Sequence, residues 1–180
     1  MAEREKKRPA SAGDMVRSLL LIIVPLLIIS FLFTRTIGDH PVQSVEVAPV
    51  LTQARAEAPY PVSVPVNLPE AWVPTRVAWE PDGFEGAPPR RLWQVGYLSP
   101  DQIYFAVNQS PDADVLVPAQ TRDGVADGSS VIAGSTWERR VSADGRTRSL
   151  VRATGPVTTV VVADADYAAL EAFTGALRTE

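Results

Sequence analysis

Residues 19–33 carry a single polar side chain, Ser30, in a Leu/Ile/Phe-rich run around Pro25. A segment apolar on every side is stable only in a protein interior or in a bilayer. Extended back through Ser18 and Arg17 to Met15, the run covers residues 15–33. As a helix this is about 28 Å long, close to the ~30 Å hydrocarbon core of a membrane. Arg17 sits near the edge, where its charge can snorkel to the headgroups. The residues predict one transmembrane anchor, 15–36 with its flank, over a helix buried in a soluble protein.

The flanks give an orientation. Arg4, Lys6, Lys7, Arg8 and Arg17 precede or open the run, against Glu3, Glu5 and Asp14, while Arg35 is the one nearby base after it. An excess of Lys and Arg stays on the cytoplasmic side. Residues 1–14 are therefore expected as a cytoplasmic tail and everything after the anchor outside the cytoplasm. The sequence after Phe33, Thr34-Arg35-Thr36-Ile37, lacks the small residues of a signal cleavage site, which favours an uncleaved signal-anchor in the cell membrane.

The outer part carries twelve arginines, no lysine and eighteen acids, an acidic balance that argues against nucleic acid as a partner. The chain has no cysteine, which removes disulfides, thiol catalysis and a Cys-linked lipid.

Residues 37–48 are expected as a stalk and 49–180 as an extracytoplasmic α+β domain. Pro49 opens a short helical stretch over 50–58, ended by Pro59. Seven prolines lie between Pro41 and Pro74, too many for sheet interior. Strand patterns then cover 75–80, 91–98 and 103–109, rich in β-branched and aromatic residues. Residues 111–129 have loop composition with room for one helical turn. A second strand group covers 135–141, 147–154 and 157–163, the first two flanking the hairpin signal Ala143-Asp144-Gly145-Arg146. Asp164 or Asp166 can cap a closing helix with Tyr167, Leu170, Phe173 and Leu177 on one face. The sum is an antiparallel sheet of about six strands flanked by helices.

Several phrases resemble a family of actinobacterial single-pass membrane proteins, domain of unknown function 4245. They are Asp14-Met15, Ser18-Leu19, Pro59-Tyr60-Pro61-Val62, and Leu68-Pro69-Glu70-Ala71-Trp72-Val73-Pro74-Thr75. Further along come Val95-Gly96-Tyr97, Trp137-Glu138-Arg139-Arg140, Leu150-Val151-Arg152 and Thr159-Val160-Val161-Val162. The resemblance implies an outer domain on an N-terminal anchor and brings no catalytic residues. The element order also resembles PsbP- and Mog1-like sandwiches, a likeness of fold alone.

Residue chemistry narrows function mainly by what it lacks. The single histidine, His40, lies beside Asp39 in the stalk, and no nucleophile elbow, P-loop or zinc ligand set occurs. The pairs Asp112/Asp114 and Asp164/Asp166 do not continue into calcium loops. No cofactor, metal or catalytic residue is expected, and no enzyme. Dispersed carboxylates are the one remaining catalytic alternative.

Two features point to binding. Arg139, Arg140, Arg146, Arg148 and Arg152 crowd the 135–154 hairpin. A two-residue turn at Asp144-Gly145 pairs 141 with 148, 139 with 150 and 137 with 152. Arg139, Arg148 and Arg152 then share the face of Trp137, and Arg152 can stack on its ring. That hairpin either meets an anionic partner (lipid headgroup, cell-wall polymer or acidic protein) or is a solvated, ion-paired face. Trp72, Trp79, Trp93, Tyr97, Tyr104, Phe105 and Trp137 either line a cleft for lipid or glycan or form the core. The leading expectation is a non-catalytic interaction or accessory protein of the cell envelope, with a binding module for a hydrophobic or anionic envelope ligand as the alternative.

Overall fold

The computed structural model describes residues 12–36, 43–82 and 91–179. His40, expected as a residue of the stalk, lies outside them. The chain divides into two compact units, Met1–Pro41 and Val42–Glu180.

In the first unit, helix α1 runs Ala12–Thr36 with Pro25 inside it. Every described side chain from Met15 to Phe31 is exposed. Among the described residues, however, no helix is long and apolar enough to cross a membrane. The expected transmembrane span is thus a helix, but its crossing of a bilayer is not supported by the described residues.

The second unit begins as irregular chain docked on the domain, with the Val45 amide donating to the Pro74 carbonyl at 2.9 Å. Helix α2, Ala48–Glu57, carries Pro49 in its first turn and stops at Ala58, whose extended backbone suits the following Pro59. Strand β1 is Ser63–Pro65 and β2 is Val73–Glu80. Strands β3, Leu92–Leu98, and β4, Tyr104–Ser110, complete a meander. Then come helix α3, Ala113–Thr121, and strand β5, Val125–Ile132. A second meander continues through β6, Ser135–Val141, β7, Arg148–Thr154, and β8, Val157–Ala163. Helix α4, Tyr167–Gly175, and strand β9, Leu177–Thr179, close it.

Seven strands form one antiparallel sheet in the order β2-β3-β4-β8-β7-β6-β5, and β1 pairs with β9 in a second sheet. The architecture is α+β as expected, with more strands than the six anticipated. The two meanders meet at β4 and β8, where Val107 pairs with Val161.

Alternation along the strands assigns each face its cover. Trp93, Val95, Tyr97, Phe105, Val107, Trp137, Leu150 and Val161 are buried in the main core with Tyr60, Val62, Leu170 and Phe173. Leu92, Val151 and Val160 form a smaller cluster on the opposite face with Leu116 and Val117 of α3. Helices therefore cover both faces of the sheet. Asp166 caps α4 by accepting from the Ala169 amide at 2.8 Å, the second of the two caps the sequence offered. Leu177 leaves the expected helical face and begins β9.

Candidate functional site

The expected hairpin register is present: Val141 pairs with Arg148 and Arg139 with Leu150. The β6–β7 ladder ends at Glu138–Val151, one residue short of the expected 137–152 pair. Its turn is wider than the expected two residues. The Gly145 amide donates to the Ser142 carbonyl at 2.8 Å, and Gly145 takes φ +70°, a conformation costly for other residues. The Asp144 carboxylate accepts from the Ser142 hydroxyl at 2.5 Å and the Arg146 amide at 3.1 Å. Those bonds, the Ser142 hydroxyl first, hold its carboxyl below the ordinary range, and Arg122 and Arg146 add to the effect.

The five arginines do not form one surface. Arg139 donates to Glu171 of α4 at 2.5 Å and to the Ser130 hydroxyl at 2.6 Å, with its guanidinium 4.6 Å from the Tyr167 ring centre. Arg148 donates to the Ala165 carbonyl at 3.0 Å and lies 5.6 Å from the centre of the same ring. Arg152 lies 5.0 Å from the Trp137 ring, the stack the register implied. Arg140, on the opposite face, donates to the Gly124 carbonyl at 2.9 Å and pairs with Glu138 at 2.6 Å. Four of the five are thus internal braces. Burial, then the Tyr167 hydrogen bond to Asp127 and that carboxylate's charge, push the Tyr167 phenol up to about 12.

Glu171 is held below the ordinary carboxyl range, first by the Ser130 hydroxyl and then by Arg139. A depressed carboxyl contributes stability that is present above its unfolded pKa and lost as pH falls through the folded one. Glu171→Gln is expected to cost about 0.5–1 kcal/mol near neutral pH, modest because both partners are one-third exposed. At an acidic pH below the ordinary glutamate range the gap from wild type should narrow, because the wild-type carboxyl protonates as pH falls through its depressed folded value. Urea midpoints at the two pH values check this, and a gap that widened in acid would contradict it.

Of the two readings the aromatics allowed, cleft or core, the structure shows the core for all but Tyr104. Trp72 stacks on Phe173 with centroids 5.4 Å apart, and Phe105 packs 5.0 Å from Trp72. Trp93 is fully buried and donates to the Ser63 carbonyl at 2.9 Å. Trp79 donates to Glu57 of α2 at 2.7 Å. Tyr104 alone of the seven is strongly exposed.

Tyr104 leads to the site the sequence did not show. It lines a depression of about 560 Å³ with Gln102, Gln120, Arg122, Arg146 and Asp164. That volume is in the range of small-molecule sites. Four segments build it: the turn into β4, the end of α3, the hairpin loop and the end of β8. Ile103, Ala119, Val162 and Ala163 supply apolar lining. Arg122 enters because it takes the left-handed backbone, φ 55°, that terminates α3. The Tyr104 ring fits over the sheet because Gly96 has no side chain: a β-carbon there would fall 2.0 Å from the phenol oxygen. Asp164, the one acid lining the depression, accepts from the Thr147 hydroxyl at 2.5 Å and lies 4.0 Å from Arg146.

Of the hairpin arginines, only Arg146 belongs to this depression, and its side chain is 75% exposed. Asp166 serves as a helix cap, while Asp112 and Asp114 sit at the start of α3. Among the described residues, no group of three His, Cys, Asp or Glu side chains is placed to hold a metal. The arrangement offers guanidinium, amide and phenol donors around one hollow, chemistry suited to holding an anion.

A comparison with curated proteins finds no match. A comparison with protein families matches residues 7–177 to proteins of unknown function, DUF4245. That match spans nearly the whole chain, both units included, and on it the chain belongs to the DUF4245 family of proteins of unknown function.

Proposed function

We propose that this chain is a membrane-tethered, non-catalytic interaction or accessory protein of the cell envelope, with its α+β unit outside the cytoplasm. The observation that carries the reading is α1. Its described side chains from Leu19 to Phe31 are exposed on every side, and none of them is ionisable. Water is a poor solvent for such a surface, and a bilayer is the natural cover. The sequence continues the apolar stretch through Leu32 and Phe33, bringing it close to bilayer thickness. With no Asp, Glu, His or Lys at membrane depth, a lone helix serves as a tether rather than a conduit.

The domain supports a binding role over covalent chemistry. Four of its five hairpin arginines and all but one of the seven aromatics weighed above hold the fold, and the likeness to PsbP- and Mog1-like sandwiches adds no activity. The test combines alkaline extraction with protease protection. The chain should stay in the membrane pellet after carbonate washing, and external protease should digest the part after residue 33 in intact spheroplasts. Release into the wash would overturn the tether, and protection from protease would overturn the orientation.

A second reading, a binding module for an anionic envelope ligand, is favoured by the depression around Arg122 and Arg146.

A further inference from the structure

We infer that the depression lined by Arg122, Arg146, Gln102, Gln120 and Tyr104 is a binding site for a phosphate ester. This inference rests on the anionic-ligand reading above and names its chemistry.

Charge and donor supply come first. Two guanidiniums face one acid in the lining, and that acid already accepts from Thr147 and lies beside Arg146. Asp144, just beyond, accepts on its Oδ1 from the Ser142 hydroxyl and the Arg146 amide. By contrast, the side chains of Arg122, Gln102 and Gln120 make no hydrogen bond to another described residue. Their donors are open to a ligand.

The spread of these donors selects the anion. A planar carboxylate presents two oxygens and is satisfied by one guanidinium fork. Here five donor side chains come from three separate segments around one hollow. That supply fits a tetrahedral phosphate, which has more acceptor oxygens and up to two charges. The apolar patch of Ile103, Ala119, Val162 and Ala163 beside the donors gives the ester's carbon chain a surface to lie on. The phosphate can belong to a soluble polyol phosphate or to a lipid headgroup, and the shared group is what the site reads.

The experiment uses the full chain in lipid nanodiscs. Glycerol 3-phosphate and glycerate, which bears a carboxylate in place of the phosphate, are titrated by calorimetry into discs of digalactosyldiacylglycerol, a lipid without phosphate. Wild type is compared with Arg122→Gln/Arg146→Gln. Arg152→Gln/Arg178→Gln, remote from the depression, removes the same charge. A soluble ester is the source if glycerol 3-phosphate binds at least ~10-fold tighter than glycerate and the pocket pair loses at least ~10-fold while the remote pair does not. The lipid headgroup is the source if neither solute binds, yet phosphatidylglycerol discs raise the unfolding temperature of wild type and of the remote pair but not of the pocket pair. Equal losses in both pairs, glycerate binding as tightly, or no response to any probe would overturn the proposal. Carbonate washing judges the tether separately, since solute binding does not depend on it.

Discussion

Phe173→Ala is expected to remove about 3–5 kcal/mol of stability, the cost of deleting a buried aromatic side chain. Phe173 is 2% exposed and sits where three rings converge: Trp72 at 5.4 Å, Phe105 at 5.1 Å and Tyr97 at 6.2 Å between centroids. Those rings come from the chain before β2, from β4 and from β3, so the cavity cannot close by moving one loop. Aromatic pairing adds about 0.5–1.5 kcal/mol beyond burial. Since domains hold only about 5–15 kcal/mol in total, the variant should be close to unfolding at ambient temperature. Denaturant titration followed by tryptophan emission reads both the midpoint and the loss of Trp72 packing. A loss under ~1 kcal/mol would show that the cluster is not packed as described.

Gln109→Leu is the second large effect, and its cause is polar. Gln109 is 1% exposed, and its side chain joins three segments. Its carbonyl accepts from the Ser63 amide at 2.6 Å, and its amide donates to the Ser63 hydroxyl at 3.1 Å and the Thr159 hydroxyl at 3.0 Å. Leucine has similar volume, so the change isolates hydrogen bonding. It strands the Ser63 amide and two hydroxyls in the interior at about 1–3 kcal/mol each, partly offset by the apolar burial gained. A net loss of about 3 kcal/mol is expected, with amide exchange rising first at Ser63 and Val64. Unchanged exchange in β1 would rule out this bridge as what holds the strand to the main sheet.

Much of this fold was legible because six of its strands are rich in β-branched and aromatic residues and are bounded by turn residues. Residues 135–141 and 157–163 coincide with β6 and β8, and the other four predicted strands differ at their ends by one or two residues. Strand β5 was hidden because it contains Asp127-Gly128-Ser129-Ser130, residues of loop composition. A shift in pairing between Ala126 and Ser129, with Gly128 at φ +89°, lets them stay in the sheet. Helix α3 exceeds the single turn expected within residues 111–129, because Pro118 interrupts its pattern in the sequence. Strands β1 and β9, three residues each, are too short to show any period.

The site was less legible than the fold. Register arithmetic placed Arg152 against Trp137. It could not show that Arg139 would be taken up by Glu171, because that partner arrives from a different element. Arg122 carried no local signal. It joins Arg146 only because α3 ends where the β6–β7 loop returns.

The pairing of β1 with β9 has a consequence for how the chain is made. Ser63 aligns with Thr179, and Pro65 with Leu177, so the first strand of the unit has its ladder partner more than a hundred residues later in the chain. Each strand of the seven-stranded sheet has a neighbour nearer in sequence. A ribosome can therefore release both meanders, and even the seam between them, while residues 63–65 still wait for a backbone partner. The small sheet acts as a completion latch: it closes only on a chain synthesised through β9, and a chain stopped before residue 177 leaves it open.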